Sequence, residues 1–312
     1  MRILVVGAGA VGGYFGGRLL AAGRNVTFLV RPARAEKLRR NGLVIKSATG
    51  DAAVADPPVV TRETLREPFD LVLLSCKAYD LDGAIDAFAA AVGPRTLVLP
   101  LLNGMRHLDV LDARFGAERV LGGLCIIAAT LEESGAIRHL NESHDLVFGA
   151  RDGAASERVG EIEAALAGAG FVARLSDRIV GEMWEKWVLL SSLAAASCLM
   201  HATVGDIVAA PGGLSFLNGL VDDCVAIAEA NGHRPRDASI ARARTMLTAA
   251  GSPFTASMFR DMKNGFPVEA DHVLGDLIAR RDAVGLKPSV QGRLDLAYLH
   301  LKAYENRRAR GG

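Results

Sequence analysis

The first thirty-one residues, MRILVVGAGAVGGYFGGRLLAAGRNVTFLVR, constrain this chain more than any other stretch. An apolar run, Ile3 to Val6, enters Gly7-Ala8-Gly9-Ala10-Val11-Gly12; a helix-like segment and a second apolar run, Val26 to Val30, come next. Strand, glycine turn, helix and strand in that order describe a dinucleotide-binding βαβ unit. Gly7 suits the tight turn, Gly9 lets the backbone approach a pyrophosphate, and Gly12 lets helix and strand pack closely. The backbone of Gly7, Gly9, Ala10, Val11 and Gly12 is therefore the expected phosphate cradle, with the helix N-terminus adding N–H groups and partial positive charge. At the end of the second strand an NAD site usually carries an acid for the ribose 2′-hydroxyl. Here Arg31 stands there, with Arg34 and Lys37 beyond. A cation suits a 2′-phosphate, so NADPH is the expected cofactor.

Short apolar runs alternate with helical patterns across the first half. Phe69–Ser75 and Thr96–Pro100 read as buried parallel strands, Asp82–Ala91 as a helix and Val120–Ala129 as a further strand. Ile137–Leu140 and Asp145–Gly149 read as edge strands or a hairpin, Glu157–Leu166 as an amphipathic helix and Phe171–Leu175 as a last short strand. Near Ser176 the texture changes, and 179–200, 213–231, 238–250 and 270–284 read as helices. The expected fold is an α/β Rossmann-like N-terminal domain with a parallel-rich, doubly wound sheet over 1–175, plus an all-α C-terminal domain over 176–312.

The net charge of +1 gives no global pull toward nucleic acid or an anionic membrane. The longest apolar stretch, Trp187 to Met200, carries serines and is too short to span a bilayer. No signal-peptide layout opens the chain, and Cys76, Cys125, Cys198 and Cys224 match no metal-ligand spacing, so no metal is expected. They read as small buried thiols of a reducing compartment, and the protein as cytoplasmic. Arg307, Arg308 and Arg310 read as a frayed, solvated tail. The apolar C-terminal helices suit either a domain core or a homodimer.

Four further segments can carry chemistry. Lys77, in SCKAY, and Asn103, in LNGM, come just after predicted strands, where ligands of open α/β sheets bind. Lys186, in EMWEKW, runs into the apolar Val188-Leu189-Leu190 of a helix, where desolvation would lower its pKa and make it a better proton donor. Ser257, in SMFRD, and Glu269, in VEAD, add a hydroxyl and a carboxylate.

With these segments in this order after the glycine turn, the chain resembles the ketopantoate reductases (2-dehydropantoate 2-reductases) over nearly its whole length. The marks are GAGAVGGYFGGRL, CKAYD, LNGM, EMWEKW and SMFRDM with VEAD. The resemblance implies NADPH-dependent reduction of a small 2-oxo acid, 2-dehydropantoate to pantoate, feeding pantothenate and coenzyme A synthesis. It implies that Lys186 protonates the carbonyl oxygen, that Asn103 orients cofactor and substrate, and that Lys77 lines the nicotinamide site. It further implies that Glu269 and Ser257 bind substrate and that Arg31 holds the 2′-phosphate. Pantoate-forming members carry asparagines four and eight residues after the lysine; this chain has Leu190 and Ala194, which share the lysine's face and should line the substrate pocket. That departure keeps open a reductase of another 2-oxo acid or ketone, with Ser191, Ser192 or His201 as polar substitutes. A non-catalytic NADPH-binding sensor is the alternative from another class.

Overall fold

The computed structural model describes residues 1–311. They form two compact units: residues 1–102 with 107–180, and residues 103–106 with the chain from 181 onward.

The first unit begins β1 (Arg2–Val6), α1 (Ala10–Ala21), β2 (Asn25–Leu29), α2 (Pro32–Asn41), β3 (Leu43–Lys46), β4 (Ala52–Val54) and β5 (Val59–Val60). It continues β6 (Phe69–Leu74), α3 (Leu81–Phe88), β7 (Val92–Pro100), α4 (Arg106–Phe115), β8 (Gly122–Leu131), β9 (Ile137–Gly149), α5 (Glu157–Leu166) and β10 (Val172–Leu175), α4 starting on the last residue of the inserted 103–106 segment. A five-stranded sheet runs β5-β2-β1-β6-β7, parallel throughout. Its central strands are nearly all apolar because both faces are covered.

A single doubly wound sheet would also take in β8, β9 and β10. Instead these strands build a second five-stranded sheet, β10-β9-β3-β4 with β8 beside β9. The two expected short segments after residue 136 are one long strand, β9, antiparallel to β8. Its polar middle is tolerated because the ladder slips between Ile127 and Ala129, and the Asn141 side-chain oxygen accepts the Ala128 N–H at 3.0 Å.

Helix α1 explains the glycine-rich opening. A Cβ added at Gly16 would sit 2.7 Å from Phe28 of the first sheet, and one at Gly13 would sit 2.4 Å from Ile137 of the second. Each glycine weakens a helix by about 1 kcal/mol relative to alanine. Here they let one helix pack closely against both sheets, with Tyr14, Phe15 and Leu19 fully buried in the same core.

The second unit is helical: α6 (Ile179–Met200), which starts just before the unit boundary, then α7 (Val204–Ala209), α8 (Gly213–Ala230), α9 (Asp237–Leu247), α10 (Ser257–Lys263), a π turn (Asp271–Gly275), α11 (Asp276–Ala283) and α12 (Arg293–Ala309). The basic C-terminal cluster is not a frayed tail. Arg307 and Arg308 end α12, Arg308 Nε donates to the Gly265 carbonyl at 2.8 Å, and Tyr304 donates to the Phe266 carbonyl at 2.8 Å. Among the described residues no helix is long and apolar enough to cross a membrane, and no group of three or more metal-ligating side chains occurs. Cys125, Cys198 and Cys224 are buried, whereas Cys76 is only half-buried. Desolvation pushes the thiols of Cys198 and Cys224 up to about 12.

Gly12 is the tightest point of α1. A Cβ there would lie 2.0 Å from Ser75 Oγ and 2.3 Å from the Gly7 carbonyl oxygen. Gly12→Ala should cost about 1–3 kcal/mol of stability in a denaturant titration, while Gly9→Ala, whose Cβ meets nothing within 4 Å, should cost less, only the loss of a better N-cap residue. Equal stability of the two variants would contradict this packing.

Candidate active site

The first unit carries the glycine turn. Gly7 sits at φ +94°, a conformation that disfavours any side chain. The Gly7 N–H donates to the Leu29 carbonyl, and Ser75 Oγ donates to the carbonyls of Val6 (2.9 Å) and Gly7 (3.2 Å), so the turn is pinned by the strands on either side of β1. Gly9 caps α1 without a side-chain hydrogen bond, and the space its Cβ would enter is open. A bare helix N-terminus beside open space at a glycine fits a diphosphate.

The flanking cations divide. Arg34 is a strut, donating to the carbonyls of Ala8 (3.0 Å) and Gly135 (3.3 Å). Lys37 is exposed. Arg31, 77% exposed, pairs with Asp80 at 2.5 Å. Lys77 is half-buried just past β6, leading into the short 3₁₀ turn Ala78–Asp80.

The helical unit gathers a second constellation. Lys186 Nζ donates to Asn103 Oδ1 at 3.0 Å. The lysine stands on a helix whose other faces are fastened. Trp187 Nε1 and Ser191 Oγ both donate to the Val273 carbonyl, at 2.9 and 3.3 Å. Glu185, with its side chain 7% exposed, accepts from the Arg236 backbone N–H and from its Nε and Nη2 at 3.1, 2.8 and 2.7 Å. Trp184 stacks on His233.

The amide partner is fastened too. Gly104 adopts φ +77°, and a Cβ there would lie 2.8 Å from the His272 carbonyl oxygen. The buried His272 ring hydrogen-bonds the Asn103 backbone. Burial holds this imidazole below its usual pKa, with Arg106 pushing the same way and Glu269 and Asp276 opposing. Glu269 is half-buried at the entry to the π turn, a helical irregularity common at functional sites. Lys186, Asn103, His272 and Glu269 thus form one electrostatically connected group. Ser257 opens α10 and is exposed. Leu190 is half-buried one turn beyond Lys186, and Ala194 is buried one turn further.

The polar substitutes considered for these two positions are committed elsewhere. Besides Ser191, Ser192 Oγ donates to the Val188 carbonyl at 2.8 Å, and His201 pairs with His300 at 3.0 Å. Sequence reasoning missed His272 and Asp80. The only signals for them were a histidine three residues after Glu269 and the acid ending CKAYD.

Two family models match this chain: ketopantoate reductase PanE/ApbA over residues 3–153, and its C-terminal domain over 178–291. The chain belongs to the ketopantoate reductase family. It is 36% identical to the uncharacterised oxidoreductase YkpB of Bacillus subtilis, covering 98% of this chain and 99% of that one. It is 29% identical to 2-dehydropantoate 2-reductase of Halobacterium salinarum, covering 96% and 98%. The crystal structure of 2-dehydropantoate 2-reductase from Geobacter metallireducens GS-15 superposes with a TM-score of 0.86 at 27% identity, covering 97% and 99%. This ketopantoate reductase family member is accordingly an oxidoreductase with a Rossmann-like N-terminal domain and a helical C-terminal domain.

Because folded His272 resists a proton that the unfolded chain accepts near pH 6.5, stability is full above that pH and falls as pH drops below it. His233 and His300 share the direction. His272→Gln should therefore show a shallower fall in Tm between about pH 7.5 and 5 than the parent; an equal slope would contradict a neutral His272 beside Asn103.

Proposed function

We propose that this reductase uses NADPH to reduce a small 2-oxo acid to the 2-hydroxy acid, with 2-dehydropantoate to pantoate as the leading reaction, in the cytoplasm. The observation that carries the proposal is the hydrogen bond from Lys186 to Asn103: an ammonium on a fastened helix, aimed by an amide on a fastened turn. Residues 1–175 are read as the NADP-binding domain and 176–312 as the substrate and catalytic domain.

NADPH, when bound, supplies the hydride for the carbonyl carbon. The backbone of Gly7, Gly9, Ala10, Val11 and Gly12 would hold the diphosphate, Arg31 would meet the 2′-phosphate and Lys77 would line the nicotinamide site. Lys186 carries the proton. As negative charge grows on the substrate's carbonyl oxygen, the ammonium stabilises it and then donates a proton to it. Asn103 limits the rotamers of a long, flexible side chain, so less orientation is lost on reaching the transition state. Glu269 and Ser257 bind the polar arms of the substrate.

One observation favours a second substrate class. The Lys186 face of α6 continues as Leu190 and Ala194, and Ser191 and Ser192 are bonded inside the unit. A wall of this kind offers apolar contact where a hydroxylated substrate would look for hydrogen bonds. On this reading the chain reduces a 2-oxo acid with an apolar branch.

Steady-state kinetics decide both points. Lys186→Ala should lower kcat by about 10²- to 10⁴-fold with Tm preserved; near-parental turnover in a folded variant would exclude the lysine as proton donor. Comparison of kcat/KM for 2-dehydropantoate and for 2-oxo acids of similar size lacking the hydroxyl separates the substrate classes. Higher efficiency with the hydroxylated acid supports the leading reaction, and higher efficiency with the others supports the second.

A further inference from the structure

The Arg31–Asp80 ion pair stands at a particular place in the first unit. Arg31 comes just after β2, and Asp80 ends the turn beyond β6. In the sheet, β2 and β6 lie on opposite sides of β1. Neighbouring strands are about 4.8 Å apart, so the strands bearing the two residues are about 10 Å apart. The side chains close that span with a contact of 2.5 Å. The pair thus joins the carboxyl ends of the two strands flanking the one that feeds the glycine turn.

Stability does not explain it. The guanidinium is 77% exposed and the carboxylate 35%, and exposed pairs contribute little to folding. The chemistry of the location does. In such sheets an acid at the end of the second strand accepts from a ribose 2′-hydroxyl, whereas an arginine there accommodates a 2′-phosphate. This chain has the arginine at the second strand and reaches it with an acid from the turn beyond β6. The cations next to Arg31 in the sequence do not stand in for it: Arg34 is spent on the Ala8 and Gly135 carbonyls, and Lys37 lies further along α2.

We infer that Asp80 sets cofactor discrimination by competing with a 2′-phosphate for Arg31. The inference rests on reading the glycine turn as an NAD(P) site. A 2′-phosphate must take Arg31 from Asp80 and then remain beside that carboxylate, a like-charge neighbour. A 2′-hydroxyl keeps the ion pair and finds a carboxylate oxygen as acceptor. NADPH is favoured by Arg31, but Asp80 narrows the margin and leaves NADH usable by the same site.

Calorimetric titration of the full chain with NADPH and with NADH, without substrate, tests this through binding alone. Asp80→Asn keeps the size of the side chain and removes its charge. It should tighten NADPH about tenfold and leave NADH equal or weaker. The gain should shrink as salt is raised from about 0.05 to 0.5 M. Arg31→Ala should bring the two affinities together, and adding Asp80→Asn to it should restore no preference for NADPH. Weaker NADPH binding by Asp80→Asn would overturn the inference, because Asp80 would then orient Arg31 for the phosphate. An affinity ratio unchanged within about twofold would overturn it equally. If the parent binds neither nucleotide, the NAD(P) reading of the turn fails first, a result distinct from either of these.

Discussion

A lysine side chain has four rotatable bonds, and its ammonium is useful in a reaction only if something decides where it points. In this reductase the Asn103 side-chain oxygen decides it, at 3.0 Å from Lys186 Nζ. Much of the helical unit serves that contact. The Val273 carbonyl, in the π turn, takes hydrogen bonds from Trp187 and Ser191 and so fixes the rotation of α6 about its axis. Glu185, one residue before the lysine, is locked by three donors of Arg236. On the other side His272, from the same π turn, holds the Asn103 backbone while packing against Gly104. One irregular turn therefore braces both members of the pair. A chain break or a rotation at residues 271–275 would separate them without touching either.

The same fastening bears on the substrate class proposed above. Ser191, Ser192 and Ser197 of α6 are each spent on a backbone carbonyl, as is usual for hydroxyls in buried helices. Beyond Lys186 on its own face the helix presents Leu190 and Ala194, with Glu182 one turn before the lysine. Rigid placement of Lys186 and the aliphatic Leu190 and Ala194 after it arise from one packing solution.

Much of this was legible in the residues. The glycine turn lies between apolar strands, Leu71–Leu74 and the end of β7 are unbroken apolar runs, and α6 begins and ends where its pattern does. Contacts distant in sequence were not legible. The split into two sheets depends on α1 packing against both, through glycines whose neighbours at Phe28 and Ile137 no local pattern reveals. Strands β3, β4 and β5 are too short to show a period. Helix α12 ends in exposed arginines and looks like a frayed tail until Arg308 meets Gly265. Among the site residues, Lys186 and Asn103 are recognisable by their motifs, but their contact is not, since 83 positions separate them. Arg34 shows the reverse case: a cation at the right place in the sequence whose guanidinium is committed to backbone carbonyls.

If Lys186 and Asn103 act as one unit, their losses on substitution must overlap. A double-mutant cycle on the single-turnover rate of cofactor oxidation, with Lys186→Met, Asn103→Ala and the pair combined, measures that overlap. Residues acting as a unit give a double variant hardly slower than the slower single variant, a coupling of about 1–3 kcal/mol. Losses that simply multiply would mean that the 3.0 Å contact has no part in the reaction, contrary to the role assigned to it.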